Sequence, residues 1–78
     1  MKQTEIIEIF EDILQIKKGK INLSSKPEDI EEWDSVATIN IIVAIEEQMG
    51  VKFKLKDLDK ANSVEDFLKL VNFYKNAS

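Results

Sequence analysis

The sequence predicts an all-α domain, and three observations carry that prediction. Only 2 Gly and 1 Pro interrupt 78 residues. Apolar residues make up 44% of the chain and charged residues 33%. Three stretches place their apolar side chains at helical spacing. So few chain breakers argue for helices joined by a few loops, not for a Gly-rich barrel. The length suits one domain, 1–78, with a modest core and little room for a deep pocket.

The first helix is expected over 4–18. Ile6, Ile7, Phe10, Ile13, Leu14 and Lys17 fall at helical spacing, with Glu5, Glu8, Glu11 and Asp12 mostly on the other side. Thr4 is a candidate N-cap, and acids fill the first turns, where the macrodipole favours them. Lys17, Lys18 and Gly19 supply a stop.

Residues 19–34 read as a long connection. It holds Pro27, Asn22, Ser24 and Ser25 and shows no sustained period. Ile21, Leu23, Ile30 and Trp33 are its expected anchors to the core. Connections of this length are often functional, or partly ordered by short helical turns.

The second helix is expected over 35–49, with Gly50 ending it. The alternation Val51-Lys52-Phe53-Lys54-Leu55-Lys56 would by itself indicate a strand, but the chain offers no partner strand. An extended connection that turns Val51, Phe53 and Leu55 inward explains the pattern equally well. A short turn around Leu58 is expected within 56–61. Ser63 then caps a final helix, and Asp66 three residues on approximates a capping box. Val64, Phe67, Leu68, Val71 and Tyr74 form that helix's buried stripe.

The second helix is apolar on two sides. Advancing about 100° per residue from Val36 puts Thr38, Ile41, Ile42, Ile45 and Met49 on one arc. Val36, Ile39, Asn40, Val43 and Glu47 lie nearly opposite. The first arc is the core face. The second fits a central helix covered on both sides, isolated exposed apolar residues at Val36 and Val43, or a docking surface for partner proteins.

The composition removes whole classes of function. With no Cys there is no disulfide framework, thiolate nucleophile or Cys-type zinc site. With no His there is no His-dependent triad and no His-ligated metal. Glu46 and Glu47 are adjacent on a helix and do not converge as a catalytic pair. The expectation is a protein that binds or carries something, with no catalytic residues and no metal.

The net charge is −4, and the bases are all Lys. Residues 21–50 hold seven acids and one base, Lys26. An acidic middle without Arg argues against nucleic acid and anionic membranes, and favours basic protein surfaces. No apolar run approaches the roughly 20 residues that span a bilayer. The N-terminus carries no apolar signal region, so the expected location is cytoplasmic. The Asn-x-Ser matches at Asn22 and Asn76 are read as chance.

Trp33-Asp34-Ser35-Val36 joins the acidic connection to the second helix. Asp34 or Ser35 suits an N-cap. A phosphoester on Ser35 would also face helix N–H groups at the positive end of the dipole. Without His the chain has no group to activate this Ser as a nucleophile, but another enzyme can modify it.

These residues resemble an acyl carrier protein or related carrier domain. The match runs through Asp34-Ser35-Val36, the aliphatic helix ending in Glu46-Glu47-Gln48-Met49, then Gly50-Val51-Lys52-Phe53 and Ser63-Val64-Glu65-Asp66-Phe67. In this order and spacing they cover nearly the whole chain. The resemblance implies a four-helix bundle of three longer helices and one short one. It implies that Ser35 receives 4′-phosphopantetheine from coenzyme A through a separate phosphopantetheinyl transferase, with Asp34 assisting near that enzyme's metal ion. The arm would hold acyl groups as thioesters and hand them between acyl-loading and acyl-transferring enzymes. Val36, Ile39, Asn40, Val43 and Glu47 would be the partner face, on a monomeric carrier. A lining of Ile13, Ile41, Ile45, Phe53 and Leu68 permits an aliphatic cargo to fold back between the helices.

Carriers of fatty-acid synthesis typically bear several acids just after the modified Ser. Here Ala37, Asn40 and Val43 leave that stretch uncharged until Glu46. The departure suggests a specialised pathway: polyketide, secondary-metabolite, aminoacyl or surface-glycan. The alternatives are a fatty-acid carrier and a non-carrier helical adaptor of the same fold.

Overall fold

The computed structural model describes residues 3–77. Four helices follow one another: α1 (Gln3–Leu14), α2 (Ser35–Met49), α3 (Leu55–Leu58) and α4 (Val64–Ala77). No strand occurs among the described residues. The expected helical bundle, three longer helices and a short one, is the observed architecture.

α1 packs against both α2 and α4. Ile6 and Phe10 of α1, Ile41 and Ile45 of α2, and Val64 and Val71 of α4 are fully buried in one core. Phe10 lies at its aromatic centre, with the ring of Trp33 at 5.0 Å and that of Phe67 at 5.7 Å. Fully burying each such side chain stabilises the fold by roughly 1.5–3 kcal/mol.

α1 stops four residues earlier than expected. Gln15 takes a left-handed backbone with φ +56°. The Ile16 N–H then donates to the Glu11 carbonyl at 3.1 Å, a Schellman closure. Lys17 and Lys18 therefore lie past the helix, and Gly19 serves the turn that follows it. Thr4 falls inside α1 and does not cap it. Glu11, expected on the polar side, is buried, and its carboxylate accepts the Gly19 N–H at 3.0 Å. That bond folds the start of the connection back onto α1.

The connection from 19 to 34 is anchored as expected. Ile21 and Trp33 are buried, Leu23 and Ile30 are half-buried, and a 3₁₀ turn forms at Pro27–Asp29. Its backbone also serves α4: the Leu23 and Ser25 carbonyls accept from Glu65 and Val64 N–H at 3.0 and 3.1 Å. Two donors at the start of α4 are thereby satisfied by the loop.

Val51 is buried and Phe53 half-buried, but Leu55 is 79% exposed. The inward alternation fails at Leu55 because the chain turns there into α3, one residue before the expected start. α3 has no buried residue. Tyr74 holds it: its hydroxyl accepts the Lys54 N–H at 2.9 Å and donates to the Asp57 carboxylate. α4 begins as expected, with Ser63 Oγ accepting the Asp66 N–H at 3.2 Å. Asp66 reaches back to the Asn62 N–H at 2.8 Å, one residue further than a standard capping box. The Asn-x-Ser match at Asn76 ends on Ser78, outside the described residues.

Candidate functional site

The start of α2 is built by three residues that precede or begin it. Trp33 is only 4% exposed and stands edge-on to Phe10. This fixes where the connection leaves the core. Asp34 follows in extended conformation, and its carboxylate accepts the Ala37 N–H at 2.8 Å. Asp34 is therefore the N-cap, which decides between the two candidates.

Ser35 becomes the first residue of α2, and its side chain is exposed. Because Asp34 does the capping, the Ser35 hydroxyl makes no hydrogen bond with any described residue. The Asp34 carbonyl takes the Thr38 N–H at 3.0 Å. Among the described residues the Ser35 and Val36 N–H groups find no acceptor, and they stand beside an open hydroxyl. An anionic phosphoester fits such a place on both hydrogen bonding and dipole grounds.

The outer face of α2 leads away from Ser35. Val36 is 66% exposed, Ile39 61% and Val43 45%, and Asn40 and Glu47 are exposed as well. The expected partner-face residues thus share one open side of the helix, which removes the reading of a helix covered on both sides. Ile41 and Ile45 on the opposite arc are fully buried. Leu55 adds another open aliphatic side chain at the start of α3.

Glu46 and Glu47 separate as their spacing requires. Glu46 is half-buried and accepts the Phe53 N–H at 3.0 Å, which ties the chain after Gly50 to α2. Glu47 stays exposed on the outer face. Among the described residues no cluster of three or more acids is placed to hold a metal ion. No helix among them is long and apolar enough to cross a membrane.

Two features were not foreseen from the sequence. Thr38 accepts the Trp33 indole N–H at 2.8 Å and donates its hydroxyl to the Asp34 carbonyl at 3.0 Å. A shallow groove of about 280 Å³ lies between α3 and α4, with Ala61, Leu70 and the exposed Phe73 in its lining. That groove does not touch Ser35, and neither Ile41 nor Ile45 lines it.

Residues 4–71 match the family model described as "Phosphopantetheine attachment site". Among solved structures, the solution structure of a holo acyl carrier protein from Geobacter metallireducens is similar. It is 27% identical with a TM-score of 0.87, over 96% of this chain and 86% of that one. No curated protein matches the chain.

Proposed function

The chain belongs to the phosphopantetheine-attachment family, and from that premise we propose that it is a carrier protein whose arm is joined to Ser35. The observation that carries this reading is the exposed, unbonded Ser35 hydroxyl one residue after the cap. The covalently attached phosphopantetheine supplies the thiol that this Cys-free chain lacks.

In the attachment step the Ser35 Oγ forms a bond to the phosphorus that bears pantetheine in coenzyme A. The pyrophosphate bond breaks, adenosine 3′,5′-bisphosphate leaves, and the hydroxyl proton passes to a base of the transferase. Asp34, one of whose carboxylate oxygens caps α2, would assist the transferase near that enzyme's metal ion. The orphan N–H groups of the first turn stabilise the phosphodiester once it has formed.

Val36, Ile39, Asn40, Val43 and Glu47 make the partner face, on a monomer working in the cytoplasm as a single domain over 1–78. A tethered cargo is presented at high effective concentration to whichever enzyme docks there. That face carries no charge before Glu47, so docking on it is led by apolar contact. This favours a specialised pathway over fatty-acid synthesis, whose carriers are the second reading.

Incubation with coenzyme A, Mg²⁺ and a broad-specificity transferase tests the proposal by intact mass. One phosphopantetheine is expected on the wild type and none on Ser35→Ala. No addition to the wild type, or equal addition to Ser35→Ala, overturns it.

A further inference from the structure

We propose that Trp33 and Thr38 are positioning residues for Ser35: together they clamp the Asp34–Ser35 peptide that presents the hydroxyl to the modifying enzyme. The inference rests on the reading of Ser35 as the attachment point and goes beyond it.

The clamp is a short chain of hydrogen bonds. The buried indole of Trp33 needs a partner for its N–H, and it finds the Thr38 hydroxyl at 2.8 Å. That acceptance directs the hydroxyl's own proton to the Asp34 carbonyl, 3.0 Å away. The Thr38 N–H reaches the same carbonyl at 3.0 Å. One residue thus grips the Asp34 carbonyl twice, while the Asp34 carboxylate is held by the Ala37 N–H.

The Asp34 carbonyl and the Ser35 N–H belong to one planar peptide. Fixing that carbonyl fixes the plane from which the Ser35 Cα departs. The Ser35 side chain makes no hydrogen bond with any described residue, so its placement depends on this backbone. The Trp33 end of the clamp is in turn set by Phe10, whose ring lies 5.0 Å away. The position of the exposed hydroxyl is therefore inherited from the core of the bundle.

A role confined to stability and a role in positioning separate in three variants. Thr38→Val keeps the β-branched shape and removes the hydroxyl. Thr38→Ser keeps the hydroxyl and removes the methyl. Trp33→Phe keeps a ring against Phe10 and removes the N–H. Time courses of phosphopantetheine addition by a broad-specificity transferase, read by intact mass, give kcat and KM for each. Hydrogen exchange at the Ala37 amide reports the clamp without any modification.

Thr38→Val and Trp33→Phe are expected to lower kcat/KM by about ten- to a hundredfold, the range that small misplacement of a reacting group costs. The Ala37 amide should exchange faster in both. Thr38→Ser is expected to restore both readouts. Wild-type rates in Thr38→Val and Trp33→Phe, or equal slowing in Thr38→Ser, overturn the proposal. Normal modification of the wild type on Ser35 alongside such a result overturns the clamp alone. A wild type that accepts no arm overturns the reading of Ser35 and the clamp with it.

Discussion

The indole of Trp33 stands edge-on to the ring of Phe10 at 5.0 Å, so the residue two before Ser35 is seated on the centre of α1. The exposed end of α2 and the deepest part of the core are one packing unit. Phe10 also meets Phe67 of α4 at 5.7 Å. Its removal therefore opens a void shared by α1, α4 and the connection. Phe10→Ala is expected to cost about 3–5 kcal/mol, a large share of the roughly 4–12 kcal/mol that a chain of this length commands. Urea unfolding checks this. A loss under about 1 kcal/mol would mean that the aromatic cluster does not hold the bundle together.

Two helix ends show what the sequence could and could not disclose. α2 was legible at both limits because its caps are residues chosen for the task. Asp34 accepts a first-turn N–H, and Gly50 takes φ +68° at no steric cost. The end of α1 was not legible because its left-handed residue is Gln15, a type that gives no such signal. Gln15→Gly should relieve this strain and raise stability by up to about 1 kcal/mol, while Gly50→Ala should lower it by about 1–2 kcal/mol. Thermal melts of the two variants check the opposite signs.

The same contrast holds at the site. Ser35 and the outer face of α2 followed from a motif and a 3.6-residue period. The Trp33–Thr38 pair did not, because Trp33 lies outside the helix and a separation of five across a helix start matches no period. Leu55 was misplaced for a related reason: a two-residue alternation describes an extended chain and loses meaning where the chain turns into α3.

Tyr74 is the tie between α3 and α4, and its titration makes the tie measurable. The bond it donates to Asp57 raises its pKa above the ordinary 10.0, because that bond exists only while the hydroxyl keeps its proton. A folded pKa above the unfolded one adds stability that is complete below the unfolded value and is lost as pH climbs through the folded one. The wild type should lose stability as pH climbs above about 10 more steeply than Tyr74→Phe. Lysine titration is common to both proteins and cancels in the comparison. The Lys54 amide should also exchange faster in Tyr74→Phe, since its acceptor is gone. Parallel pH curves would show that the tie does not contribute.

Val43 separates docking from folding. It is 45% exposed on the outer face of α2 and outside the buried core. Val43→Asp is expected to change stability by no more than about 0.5 kcal/mol. On an apolar docking face it should weaken binding to a cognate acyl-loading enzyme by roughly tenfold or more, mainly through faster dissociation. Surface plasmon resonance on the holo protein reads both rates. Unchanged dissociation would move the docking surface off this face of α2.

Asp34 has one duty that the structure shows and one that we propose, and two substitutions divide them. As the N-cap it accepts the Ala37 N–H at 2.8 Å, a task Asn performs about as well. As the proposed partner of the transferase's metal ion it needs a full carboxylate. Asp34→Asn should therefore keep wild-type stability to within a few tenths of a kcal/mol and still take up phosphopantetheine slowly. Asp34→Ala should lose about 0.5–2 kcal/mol of stability and be slow as well. Unfolding curves and mass-detected time courses on the two proteins resolve the duties. If Asp34→Asn were modified as fast as the wild type, capping would account for everything Asp34 does. The metal ion would then find its ligands in the transferase and in coenzyme A alone.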